Sequence, residues 1–131
     1  IRAHTIHTRD CGSVNTTALP GGWADVNDAP TEAVERELFE ESGFTGKATK
    51  LAAVYDRARH PHDPPFPFHV YKLFFVCEIT GGRAKPGAET LSVEFFPTDA
   101  LPPLSTTRIL PEQIQRMFQH WQNPGLPTDC D

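Results

Sequence analysis

Three glutamates, Glu37, Glu40 and Glu41, stand three and four residues apart. In a helix, at about 100° per residue, they fall within a sector of roughly 100°. Carboxylates crowded on one face repel, at a cost on the order of a few tenths of a kcal/mol per i,i+4 pair even in water. A bound cation removes that cost. No thiolate or paired imidazole stands nearby in the sequence, so hard oxygen ligation of Mg²⁺ or Mn²⁺ is the matching chemistry. A solvated acidic helix face would explain the cluster taken alone. The residues around it argue for more.

The elements that must position these carboxylates are legible on both sides. Leu19-Pro20-Gly21-Gly22 reads as a turn, because Pro fixes φ and paired glycines permit φ > 0. Asn27-Asp28-Ala29-Pro30 reads as a helix start, with Asp28 or Thr31 as cap and Pro30 tolerated in the first turn. Val34 and Leu38, with Ala33 beside them, form the apolar stripe. The helix is expected to run to about Glu41 and stop at Gly43.

Gly22, Asp28, Arg36, Glu37, Leu38, Glu40, Glu41, Gly43 and Phe44 together match the pattern Gly-x5-acid-x7-Arg-Glu-apolar-x-Glu-Glu-x-Gly-apolar. This resembles the Nudix box. The resemblance implies an α/β fold: an α/β/α sandwich around a mixed sheet, with the box as a loop–helix–loop. It also implies an Mg²⁺- or Mn²⁺-dependent hydrolase that cleaves the pyrophosphate bond of a nucleoside diphosphate linked to another moiety. Carried over, Glu40 and Glu41 are metal ligands. Glu37 is a further ligand or the general base that activates water. Arg36 orients Glu37 through a charge-assisted hydrogen bond, and the Gly22 carbonyl completes the metal shell. Glu89, before a late strand, matches the extra late-loop Glu of many Nudix enzymes, as ligand or base.

The likeness runs from about Leu19 to the C-terminus. Residues 51–82, 89–97 and 101–114 resemble a bacterial subgroup whose members are labelled ADP-ribose or CDP-choline pyrophosphatases. That subgroup carries a small N-terminal helical domain, which this chain is expected to lack. With no initiator Met, the chain reads as a processed or excised form. Two positions depart from the family pattern. Asp28 stands where Glu is usual, one methylene shorter, so its bond to Arg36 is expected to rearrange. Residues 10–18 are polar where an apolar strand is usual. One sheet position is therefore expected to be short or irregular, and a homodimer is expected to cover it.

Residues 1–6 read as a short polar strand, with little periodic signal from 7 to 17. Residues 50–55 and 93–96 read as strands. Residues 69–79 are rich in β-branched and aromatic side chains and read as a central strand buried on both faces. Residues 111–121 read as a helix, with Ile114, Met117, Phe118 and Trp121 as its stripe. His60, His62 and Asp63 lie on a proline-rich loop that suits substrate lining better than metal binding. Tyr55, Phe66, Phe68 and Tyr71 are read as either core or base-stacking residues.

The chain is 131 residues with net charge −5, which suits a single domain over residues 1–131 and argues against a basic surface for duplex nucleic acid. No apolar run approaches a membrane span. Three widely spaced cysteines with no CxxC point to a reducing, cytoplasmic compartment. The competing reading is a catalytically weak Nudix-fold module that binds a nucleotide without hydrolysing it.

Overall fold

A computed structural model describes the backbone of residues 4–11 and 14–131, and side chains from residue 16 onward. Strands β1 (His4–Cys11) and β2 (Val14–Ala18) lead into helix α1 (Pro30–Ser42). There follow β3 (Phe44–Asp56), a 3₁₀ turn (Arg57–Arg59), β4 (Tyr71–Gly82), β5 (Ser92–Phe96), helix α2 (Pro111–Gln122) and β6 (Asp129–Cys130). One sheet has the order β2-β1-β5, and the other β4-β3-β6. Every named pairing is antiparallel except β3 with β6, which is parallel. The architecture is thus α/β with mixed strands and two helices, as expected. No helix among the described residues is long and apolar enough to cross a membrane.

The polar segment before the Gly-Gly turn corrects the expectation of a missing strand. β2 has five residues and pairs with β1 in unbroken register from Cys11↔Val14 to His7↔Ala18. The ladder bonds are made by the backbone, so a polar strand can form wherever its neighbour supplies partners. Thr17 is also tied on its other side: its N–H donates to the Pro103 carbonyl at 3.0 Å, and its carbonyl accepts from Ser105 N–H at 2.9 Å. The expected ground for a covering subunit, a gap at this position, is removed.

β4 gives a second correction. It lies at the edge of its sheet, and Tyr71, Leu73 and Ile79 are exposed. It is not a central strand buried on both faces. Its apolar side chains instead line a broad cleft.

Among the described residues, two clusters make the core. Ala52, Ala53 and Tyr55 of β3 pack with Met117 of α2, and Phe74 and Val76 of β4 close over them. Ala18, Ile109 and Ile114 form the second, with Leu19, Leu104 and again Phe74 at its margin. This second cluster supports the Gly-Gly turn from beneath. At the C-terminus, Asp129 accepts from Arg116 Nε at 2.6 Å and Nη2 at 2.7 Å and from the Tyr55 hydroxyl at 3.1 Å. Arg116 first, then His120 and Tyr55, hold the Asp129 carboxyl well below the usual carboxylate range.

α1 begins with Ala29 as N-cap rather than Asp28 or Thr31. Ala29 N–H donates back to Glu32 Oε2 at 3.1 Å, and Pro30 fills the first turn. The helix stops where expected. Gly43 has φ 77°, and a Cβ there would meet the Arg83 carbonyl at 2.5 Å, so only glycine fits.

Candidate active site

The Gly-Gly turn is held from both sides. Gly21 N–H donates to Glu41 Oε2 at 2.9 Å, and Arg108 Nη2 donates to the Gly21 carbonyl at 2.6 Å. Glu41 is only 5% exposed, and burying a carboxylate requires partners of this kind. Arg108 is fixed in turn, because Lys72 Nζ donates to its carbonyl. Burial first, and then the charges of Arg57 and Arg108, push the Lys72 amine down to about 8.

Held in this way, Gly22 packs directly on Glu37. A Cβ at Gly22 would lie 2.8 Å from the Glu37 carboxyl carbon and from both its oxygens. A side chain at this position would therefore displace the Glu37 carboxylate from its place against the turn.

Arg36 gathers the acidic side chains. Its Nη2 donates to Asp28 Oδ2 at 2.9 Å and lies 3.5 Å from Asp25 Oδ2. Its Nη1 donates to Glu37 Oε1 at 3.1 Å and to Glu40 Oε2 at 3.3 Å. The Asp28 bond, then Asp25 and Glu37, raise the Arg36 guanidinium above its ordinary value. Asp28 reaches Arg36 without the extra methylene. The left-handed φ of 74° at Asn27 turns the chain just before it.

Glu89 is brought to the same place by a loop packed on the end of α1. The Thr90 hydroxyl donates to the Glu41 carbonyl at 3.1 Å, and Gly87 N–H donates to Thr90 Oγ1 at 2.5 Å. Glu89, Gly22, Arg36, Glu37 and Arg108 then line one cleft of about 360 Å³. Glu40 lies beside it, linked through Arg36, with its side chain 54% exposed. Glu41 is turned to the Gly21 amide instead.

Among the described residues, no three His, Cys, Asp or Glu side chains gather as a metal cage. The donor chemistry nonetheless fits a divalent cation. Glu37 and Glu40 both accept from Arg36 Nη1, which holds the two carboxylates near each other, and every candidate donor is a hard oxygen. Mg²⁺ is commonly held by one or two carboxylates together with substrate phosphates and water, not by an all-protein cage.

Arg108 and Trp23 were not singled out from sequence as site residues. The Trp has one readable signal, its place directly after the Gly-Gly turn. Arg108 has none beyond being a lone cation between Ser105-Thr106-Thr107 and Ile109-Leu110. On the proline-rich loop, His60 Nε2 lies 3.1 Å from Asp131 Oδ2, and its ring packs on Tyr55. His62 is buried with Nδ1 2.8 Å from the Thr106 carbonyl, and burial pushes its imidazole down. Tyr55 is a core residue, its phenol pushed up to about 12, chiefly by burial. Phe66, Phe68 and Tyr71 are exposed. Cys77 is half-buried, its thiol pushed up to about 11 by burial, which suits a packing role over a reactive one.

A family model described as the NUDIX domain matches residues 3–121. A Bacillus subtilis (strain 168) protein named "Putative ADP-ribose pyrophosphatase YjhB" is 41% identical over 114 residues, covering 87% of this chain and 54% of that protein. The chain spans a little over half the length of the curated relatives it matches, 54% and 59% of the first two. The crystal structure of an ADP-ribose pyrophosphatase from Streptococcus suis 89-1591 superposes with a TM-score of 0.85 at 29% identity, covering 97% of this chain and 88% of that one. The crystal structure of a UDP-X diphosphatase superposes with a TM-score of 0.83 at 31% identity, covering all of this chain and 63% of that one.

Proposed function

Because this chain belongs to the Nudix hydrolase family, we propose that it hydrolyses the pyrophosphate bond of ADP-ribose with the aid of Mg²⁺ or Mn²⁺. The reading is carried by one observation: Glu37, one of two carboxylates that Arg36 Nη1 gathers, lies against the Gly22 backbone in a cleft that Glu89 also lines. Two of the three relatives described above carry ADP-ribose in their names. A CDP-choline substrate finds no support in them.

A divalent cation, when bound, supplies positive charge against the phosphate oxygens and makes attack by water feasible near neutral pH. Glu37 and Glu40 would hold it, with the Gly22 carbonyl alongside. Glu41 fixes the turn that presents that carbonyl. Arg36 orients Glu37 and Glu40 and is itself aimed by Asp28. Glu37 or Glu89 accepts the proton of the attacking water, both lining the cleft where a substrate phosphate would lie. Water oxygen joins one phosphorus and the bridging oxygen leaves on the other, giving AMP and ribose 5-phosphate.

The test is a substrate panel with Mg²⁺: ADP-ribose, a UDP-sugar and CDP-choline, with nucleotide products separated by chromatography. ADP-ribose is expected to turn over fastest. Faster release of UMP or CMP would overturn the substrate, and saturable binding without any turnover would favour the non-hydrolysing module.

A further inference from the structure

The catalytic cleft continues past Gly22 into a wall that the hydrolysis leaves unused. Trp23 follows the Gly-Gly turn directly and is 69% exposed. Its ring centroid lies 6.2 Å from that of Phe66, and the two planes are inclined by 32°. The Arg57 guanidinium lies over the Phe66 ring, 5.4 Å from its centroid. Arg57 is held in place by two backbone carbonyls: its Nη2 donates to Pro64 and Thr107, each at 3.1 Å. Phe68 meets the free edge of Phe66 at 5.6 Å. Trp23, Phe66, Arg57, Gly22 and Glu37 all line one continuous cleft of about 1350 Å³.

We infer that Trp23 and Phe66, with Arg57 held against the Phe66 ring, form the stacking platform for the planar base of a nucleoside diphosphate whose phosphates lie at Gly22 and Glu37. This rests on the pyrophosphatase reading and adds the group that selects the substrate. Exposed aromatic rings at a fixed tilt offer flat apolar area at little cost in side-chain entropy, and every nucleobase has a π-face to match. The guanidinium over the Phe66 ring adds a cation–π contact that helps hold it in place. Trp23 is one residue from Gly22, so a base on its ring is a single nucleoside away from a phosphate beside Glu37.

The chain has two tryptophans, Trp23 and Trp121. A Trp121→Phe protein therefore reports on Trp23 alone. Its emission is titrated with AMP and, separately, with ribose 5-phosphate, both in chelator so that no cation and no turnover are involved. The expected result is saturable quenching by AMP and none by ribose 5-phosphate, with Phe66→Ala weakening the AMP midpoint at least about fivefold. In steady-state hydrolysis with Mg²⁺, Phe66→Ala is expected to raise KM by a similar factor while kcat stays within about twofold. Equal quenching by ribose 5-phosphate, or no quenching by AMP, would overturn the platform even if hydrolysis proceeds. Quenching that follows protein concentration without nucleotide would also overturn it, by making the aromatic wall a contact between copies. A protein that hydrolyses nothing but shows the AMP-specific quenching keeps the platform and loses only the hydrolytic reading.

Discussion

Gly21 N–H and Glu41 Oε2 are joined at 2.9 Å across twenty residues of sequence. The last turn of α1 thereby holds the turn that precedes the helix. Arg108 holds the same peptide from its carbonyl side at 2.6 Å. Gly22 is consequently fixed against Glu37, and the geometry of the cleft follows from a clamped peptide as much as from the acidic helix.

Gly22→Ala is expected to remove most activity while leaving the protein folded. The added methyl would lie 2.8 Å from the Glu37 carboxylate, so either the turn or the carboxylate must shift. Displacement of a catalytic group by about 1 Å costs on the order of a hundredfold in rate. Rate and thermal midpoint measured together check this. An unchanged rate would show that Glu37 has room to move without consequence.

Asp28→Glu is expected to lower activity modestly. Asp28 already bonds Arg36 at 2.9 Å, so a longer side chain must fold back or push Arg36 from Glu37 and Glu40. An off-rotamer side chain costs about 0.5–1.5 kcal/mol. A rate above that of the unaltered protein would mean that the site is strained by the shorter acid.

Lys72 and Tyr55 set opposite slopes of stability against pH. The Lys72 amine is pushed down to about 8 in the folded chain, so between about 8 and about 10.5 the unfolded chain holds more protons and stability rises with pH. The Tyr55 phenol is pushed up to about 12, so between about 10 and about 12 the folded chain holds more protons and stability falls. Urea midpoints of the unaltered protein and Lys72→Met, measured from pH 7.5 to 10, isolate the first effect. The difference between them is expected to shift towards the unaltered protein as pH rises. A difference independent of pH would contradict the burial of this amine.

α1 and its carboxylates were legible because Pro30, the apolar stripe and the stop signal are local, and Gly43 marks the end without tertiary help, although the cap proved to be Ala29. Of the polar strands, only the start of β1 was, since residues 1–6 read as a short strand; β2 was not. Backbone pairing with β2 and β5 makes a strand of residues 4–11, and no apolar alternation announces its full length. β4 misled for the opposite reason. Its long apolar run reads as core, but it lies at a sheet edge and much of its apolar surface lines the cleft. Glu89 and the box residues could be picked out by type and spacing. Arg108 could not, since its role comes from a contact to Gly21 made 87 positions away.

The central claim is that the carboxylates of α1 act on a pyrophosphate through a divalent cation. The most direct measurement is the initial rate of AMP formation from ADP-ribose against Mg²⁺ concentration, for the unaltered protein and for Glu37→Gln. No AMP is expected in chelator, a saturable rise is expected with Mg²⁺, and Glu37→Gln is expected to be slower by about a hundredfold or more at every concentration. AMP formation that persists in chelator, or a Glu37→Gln protein as fast as the unaltered one, would contradict the account.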